Sequence, residues 1–557
     1  MAGIRATHLH LAAPNDANRL LLNDLTFTIP SGTFAVIVGP SGCGKSTLLK
    51  TLCGLLAPTA GEVTVAGSDP AHLRSGLPLA MGYLPQFAAF HETLTVQEVL
   101  RYAMKLRLPG AVPHEQREAW LANVISLAGL GGLLQQRIET LSGGQRRRLA
   151  LAEELIGDPQ ILFLDELTSG LDPHAELEMM QWMARLVQQT GKTVVLVTHS
   201  ITNLHQAGMV LFLNRGSLLY SGPPDGVLEY FGAENWESIY AAADHYAPFQ
   251  GQGGEAQLTP EAPEVLRTAP PAGMVRQFVA VMHRQATLFF RDRGQLVLHL
   301  LLLISFPLLV AVFASSGLPA VKSLSLKIET SVVDSLVERI HYLKESFHVS
   351  ALVAGLSMFQ VILLTLMGAN NGAREIAKER DILQKELRAG LSPLAYVWTK
   401  LVQVLFLSLL QSAWMTWFVK TKCGFPGDMG AQFLILFLAT AAMSGTCLMF
   451  SALAKSPERA SLMAIYLVGL QLPLSGAVLA LPEWLTLITR PFIAAYWGWS
   501  GYLRTFESFR HYDVVQQSTK TTIAAYDVCW VILAFHLVVS ALVTWMVLLR
   551  SKTRPSV

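Results

Sequence analysis

Gly39-Pro40-Ser41-Gly42-Cys43-Gly44-Lys45-Ser46-Thr47 fits the pattern G-x-x-x-x-G-K-[ST]. An apolar β-type run, Phe34-Ala35-Val36-Ile37-Val38, leads into it and a helix-like Ser46-Thr47-Leu48-Leu49-Lys50 leads out. That is the context a phosphate-binding loop requires, and a chance glycine-rich turn does not account for it. Gly39, Gly42 and Gly44 let backbone N–H groups, those of Ser41 and Thr47 among them, curl around an anion, and the helix adds the positive end of its dipole. Lys45 is placed to reach the β- and γ-phosphates of a nucleoside triphosphate, and Ser46 to ligate Mg²⁺.

The chain around this loop has 557 residues, too many for one core. It is 52% hydrophobic and only 15% charged, against roughly 25% charged for soluble domains, so part of it belongs in lipid. A net charge of +2 gives no electrostatic case for a nucleic-acid partner. Of five cysteines, Cys43 and Cys53 sit in or beside the loop, while Cys423, Cys447 and Cys529 fall in the apolar half without metal-ligand spacing. No charged-then-apolar run opens the sequence, so no cleaved export signal is expected.

Residues 1–245 alternate β-type and helical stretches, as an α/β domain does. Gly82-Tyr83-Leu84-Pro85-Gln86 ends a short apolar run on a glutamine. Leu141-Ser142-Gly143-Gly144-Gln145 precedes a helical Arg146-Arg147-Arg148-Leu149-Ala150, a second helix N-terminus suited to an anion, with Ser142 as its cap. Arg146 to Arg148 read as a solvated helix face. Ile161-Leu162-Phe163-Leu164 runs into Asp165-Glu166, which places two carboxylates at the carboxyl edge of a parallel sheet. Val194-Val195-Leu196-Val197-Thr198-His199 repeats the device with a histidine.

In this order and spacing the motifs resemble the nucleotide-binding domain of ABC transporters, across the whole first domain. The resemblance implies that Lys45, Ser46 and the loop amides hold the triphosphate. Gln86 senses metal and attacking water, Asp165 holds Mg²⁺ through water, and Glu166 is the general base. His199 contacts the γ-phosphate, and Asp172 lies at a dimer junction. It also implies that Ser142, Gly143, Gly144 and Gln145 of a second copy close over the ATP held by the loop. Leu167 stands where the family usually has proline. The position matching the family's adenine-stacking aromatic is about Leu11, flanked by His8 and His10, and the adenine contact is left open.

Residues 246–273, rich in glycine and proline, read as a linker, an irregular lobe being the alternative. Apolar runs at about 295–317, 349–370, 397–419, 431–453, 461–481 and 528–549 each approach the roughly 20 residues that span a bilayer. The expected fold class is an α/β P-loop nucleotide-binding domain with an α-helical subdomain, followed by an all-α six-helix transmembrane domain. Lys and Arg are balanced between the two sides, so cytosolic ATP sets the orientation, with both termini cytoplasmic. Residues 274–294 read as an amphipathic helix at the membrane interface. The loop Arg374 to Arg388 is dense in both charges; composition suggests a solvated helix, and its position facing the ATPase suggests coupling.

The ATPase-first order resembles the G family of ABC half-transporters. So do Phe290-Arg291-Asp292, the stretch from Glu379-Arg380 through Glu386 to Tyr396-Val397-Trp398-Thr399-Lys400-Leu401, Thr168-Ser169-Gly170-Leu171-Asp172, and a long outer loop between the last two spans. Leu-Ser-Gly-Gly-Gln and Pro173 depart from that family and point to a bacterial relative. The resemblance implies a substrate cavity between spans two and five of two subunits, with Gln360, Leu364 and Met367 facing Leu472, Ala477 and Val478. Ordinary helix packing or lipid contact is the competing expectation for these six. Pro473 is expected to kink span five.

In the family each ATP lies between the loop of one subunit and the signature of the other, so one loop and one signature imply a dimer; with every catalytic position filled a homodimer is the simplest case, a heterodimer being the alternative, with ATP and Mg²⁺ as cofactors. The function expected is ATP-driven export or flipping of a small amphipathic or lipid-like substrate in the cell membrane. The rival is a mechanotransducer that works an envelope partner. It is motivated by the helical spacing of Leu324, Ile328, Val332, Leu336 and Ile340 in the outer segment 318–348.

Overall fold

Strand β3 (Phe34–Val38) is buried along its whole length, as a strand covered on both faces must be. In the computed structural model it lies between β7 (Thr193–Val197) and β8 (Met209–Asn214), parallel to both. Beyond β7 come β6 (Ile161–Asp165) and β5 (Met81–Leu84), and β9 (Ser217–Gly222) closes the other edge antiparallel to β8. Sheets of this kind bind ligands outside the carboxyl ends of their parallel strands. There β3 runs into the phosphate loop, β6 into Asp165-Glu166, and β7 into Thr198-His199. Three distant stretches meet at one edge because β6, β7 and β3 are neighbours. A second, antiparallel sheet, β2 (Asp16–Ile29), β1 (Ile4–Ala13) and β4 (Ala60–Val65), packs its apolar side chains into the same core.

The structure describes residues 3–13, 16–71, 81–109, 112–249, 272–314, 318, 332–477 and 481–553. Most of the expected linker, together with Leu324, Ile328 and Val478, lies outside the described residues.

The helices of the α/β region start where the sequence supplies caps. Thr95 and Glu98 form a reciprocal capping box on Val96–Arg107, and Ser142 and Gln145 form another on Gly143–Leu155. Pro173–Thr190 is capped by Asp172 and stops at Gly191, which takes the left-handed conformation of a helix C-terminus.

The chain divides into two compact units: Met1–Arg284 with Asp381–Ser392 and Thr553–Val557, and Gln285–Arg380 with Pro393–Lys552. The second is helical. Among its described helices, Arg293–Ala314, Val332–Gly372, Pro393–Cys423, Met429–Leu453 and Tyr526–Thr553 supply stretches long and apolar enough to cross a membrane. The expected fifth span falls on Pro457–Leu474, 18 residues that open on Glu458 and Arg459. Pro473 stands one residue before the end of this helix, where a proline withholds its helical hydrogen bond. Val332–Gly372 is, by contrast, a single helix of 41 residues. At Gly368 it approaches Met429–Leu453 so closely that a Cβ would lie 2.5 Å from the carbonyl oxygen of Thr440.

Candidate functional site

The phosphate loop owes its path to glycine at Gly39, whose φ of 149° is paired with a space that a Cβ would fill against the carbonyl of Leu213 on β8. The Gly39 amide donates to the Tyr240 hydroxyl at 3.1 Å, a partner that sequence spacing does not reveal. Burial pushes that phenol up to about 12, so it stays a neutral hydroxyl. Lys45 is buried and donates to the carbonyls of Gly39 (2.8 Å) and Pro40 (2.9 Å). Burial depresses its ammonium, while Asp165 and Glu166 pull the other way.

Ser46 Oγ donates to Asp165 Oδ1 at 2.8 Å. Burial raises the Asp165 carboxyl, against the Ser46 hydrogen bond. A hydroxyl and a buried carboxylate side by side are hard oxygen donors that fit Mg²⁺, which commonly takes one or two protein ligands and fills the rest of its shell with water and phosphate.

Glu166 has a left-handed backbone, at φ 52°, as does Arg215 across the cavity, at φ 43°. Its amide donates to Val197 at 3.0 Å, tying the end of β6 to β7. Its carboxylate accepts from Gln86 Nε2 at 2.5 Å and lies 2.5 Å from His199 Nε2. The three expected catalytic residues, from three separate loops, therefore form one cluster. Beneath them the buried Thr168 and Thr198 hydroxyls meet at 2.8 Å, a link sequence reasoning missed because threonines carry no motif here.

A cavity of about 320 Å³ opens over the loop, lined by Gly42 to Thr47 and Glu166 and flanked by Arg19, Leu20, Leu21 and Arg215. Leu11 is buried in the core. His8 lies 2.8 Å from the Asp24 carboxylate and His10 accepts from the Asp24 amide. The face beside the nucleotide loop is supplied by β2, not by Leu11.

The signature residues stand apart. Ser142, Gly143, Gly144 and Gln145 do not line this cavity; Ser142 and Gln145 are engaged with each other at the helix start. Asp172 caps its helix, its carboxylate held below the usual range by the Ala175 amide.

Asp381–Ser392, the segment between two long helices of the membrane unit, folds within the ATPase unit. Lys385 pairs with Glu153 and stands 4.6 Å over the Phe90 ring. Arg284 grips both oxygens of Glu386. Beside them Arg107 donates to Glu154 Oε1 at 2.9 Å. Burial works against the Arg107 charge, but Glu154 and Glu153 outweigh it and hold the guanidinium above its ordinary value. The charged segment, which composition suggests is solvated, is thus partly buried and ion-paired.

In the membrane unit Gln360, Leu364 and Met367 are buried. They share the helix face that carries Val353 and Val361 into the unit's core, so packing claims the stripe expected to face a cavity. Leu472 is exposed, and Ala477 packs on that core. On Pro457–Leu474 the apolar side chains left exposed are Leu462, Ile465, Tyr466, Leu470 and Leu472.

Residues 22–169 match the family described as ABC transporter, and residues 276–498 match the ABC-2 type transporter family. The ABC transporter ATP-binding/permease protein Rv1747 of Mycobacterium tuberculosis is 30% identical over 83% of this chain and 53% of its own length. ABC transporter G family member 23 of Dictyostelium discoideum is 32% identical over 40% of this chain and 31% of its own. The chain thus spans about half the length of Rv1747 and less of the other. Among solved structures, that of cbiO1 from Clostridium perfringens, part of an ABC transporter complex, matches at 24% identity with a TM-score of 0.37, over 43% of this chain and 93% of that one. Taken in chain order, the two matches give this chain an ABC transporter ATP-binding domain followed by an ABC-2 type membrane domain, an ATPase-first arrangement like that of the G family.

Proposed function

We propose that the chain is a half-transporter that dimerises and uses ATP to export or flip an amphipathic or lipid-like substrate across the cell membrane. The observation that carries this is the half-site. The phosphate loop, the Ser46–Asp165 pair and the Gln86–Glu166–His199 cluster share one edge, while the signature residues that would close over ATP stand elsewhere in the same chain.

Lys45 swings from the Gly39 and Pro40 carbonyls to the β- and γ-phosphates. Ser46 and Gln86 would hold Mg²⁺, with Asp165 acting through water, and the ion would neutralise charge on the phosphates. Glu166, whose two carboxylate oxygens are engaged by Gln86 and His199, releases one of them to polarise the attacking water, and His199 turns to the γ-phosphate. Ser142, Gly143, Gly144 and Gln145 of the second copy complete the site, with Asp172 at the junction. Arg19, Leu20 and Arg215 flank the base and ribose. The ATPase and both termini are cytoplasmic. Six segments cross the membrane, the fifth of them on Pro457–Leu474. The exposed stripe of that helix, not the buried Gln360 face, is offered to substrate or lipid.

The Glu166→Gln variant in nanodiscs is expected to bind ATP and to lose at least about 100-fold in hydrolysis, as removal of a positioned base does. Hydrolysis at the native rate would move the base elsewhere. A second function, mechanical work on an envelope partner, draws on the exposed apolar face of the helix beginning at Val332. A transporter shows ATPase activity stimulated by lipid or drug panels with no partner protein present, and a mechanotransducer does not.

A further inference from the structure

The helix Val332–Gly372 is about 60 Å long at 1.5 Å per residue, whereas a bilayer core is about 30 Å thick. Its apolar spanning part begins near Val349, which leaves about four to five turns projecting at the N-terminal end. In that projection Val333, Leu336, Ile340, Leu343 and Phe347 are 69, 57, 58, 46 and 58% exposed. With Val332 and Val337 beside them, seven large apolar side chains in water at one helix end call for an occupant.

The spacing of the first five says which one. The steps run three, four, three and four residues, the alternation of the a and d positions of a heptad, with Val333, Ile340 and Phe347 at a and Leu336 and Leu343 at d. β-Branched residues at a with leucine at d favour a parallel pair of helices over higher assemblies. Asp334, Glu338, His341 and Glu345 fall at b and f, away from that seam. The stripe beside it, Tyr342, Ser346 and Val349, packs back on the unit's own core, which holds the helix on one side and leaves the seam open.

We propose that this projection pairs with the same helix of a second copy as a short parallel coiled coil capping the dimer outside the membrane. The proposal rests on the homodimer put forward above. A twofold axis along the membrane normal makes the two helices run parallel. Two heptads are too short to hold a pair in water unaided, but copies already joined through their ATPase and membrane units meet at the high effective concentration of a tethered reaction. One feature opposes the pairing. Arg339 at g faces the Lys344 position at e across a parallel seam, and these like charges weaken the cap at low salt.

The test uses the full-length protein in nanodiscs. The five native cysteines are buried, so the parent protein serves as the background. Under mild oxidation, Ile340→Cys and Leu343→Cys are each expected to give at least ten-fold more covalent dimer than Glu338→Cys at the outward f position. Adding Arg339→Glu to Ile340→Cys should raise the yield further at low salt. A particle with the mass of two chains but no cross-link at either 340 or 343, or an equal yield at 338, overturns the coiled coil and leaves the dimer standing. The helix face then belongs to lipid or to an envelope partner. A particle with the mass of one chain overturns the homodimer and the cap together.

Discussion

Glu166 carries a backbone conformation that side-chain-bearing residues take at a cost of roughly 1–3 kcal/mol. The cost is met by fixed neighbours: its amide is held by Val197, its carbonyl accepts from Ser169, and its carboxylate is held between Gln86 and His199. The same economy of position explains Tyr240, whose hydroxyl gives the Gly39 amide its partner. In Tyr240→Phe that buried N–H loses its acceptor, an omission worth roughly 1–3 kcal/mol. ATP affinity, read from the ATP-induced rise in melting temperature, is expected to fall several-fold while the folded chain persists. Unchanged ATP binding would show that the hydroxyl does not shape the loop. Lys45, Ser46, Asp165, Gln86, Glu166 and His199 were legible in the sequence because each ends a strand or a glycine turn with its motif intact. Tyr240 and the Thr168–Thr198 pair were not, since they act over separations of 201 and 30 residues with no pattern to announce them.

At the scale of elements, the helix Arg380–Arg388 shows how far composition alone can mislead. Its charge density suggested a solvated helix, yet Leu383, Glu386 and Leu387 are buried and Lys385 is paired with Glu153. A run of charges reads as surface until the opposite charges, here Arg284 and Glu153, arrive from other parts of the chain. Gln360, Leu364 and Met367 show the converse. Their helical period was legible, but which face of an apolar helix meets protein and which meets lipid is not encoded in hydropathy. Arg284 and Glu386 offer the sharpest test at this scale, because both are buried and the guanidinium engages both carboxylate oxygens. Arg284→Ala strands a buried carboxylate, at a cost of roughly 3–5 kcal/mol. Arg284→Met with Glu386→Leu removes both charges and is expected to recover most of that loss in melting temperature. If the pair also transmits the nucleotide state, substrate-stimulated ATPase activity stays low in the double variant although its stability returns. Full recovery of stimulation would reduce the pair to a structural role.

For the whole molecule, the order of domains and the α/β class were legible because phosphate loops, strand-end carboxylates and apolar runs are local signals. The full length of Val332–Gly372 was not, since its polar-studded first turns break the hydropathy pattern that marks a span. Nor could a sequence show that one chain's signature stays out of its own nucleotide cavity. That separation has a consequence for chain-to-chain contact. With ATP bound and hydrolysis blocked by Glu166→Gln, the loop of one copy and the signature of the other should come within bonding reach. Ser41→Cys and Ser142→Cys placed together in that background are expected to form a disulfide that depends on ATP. Because the two positions are joined between copies, the product runs at twice the mass of the chain, and differently tagged copies appear in one band. A disulfide that forms inside a single chain, leaving its mass unchanged, would mean the site closes on itself and that dimerisation serves the membrane unit alone.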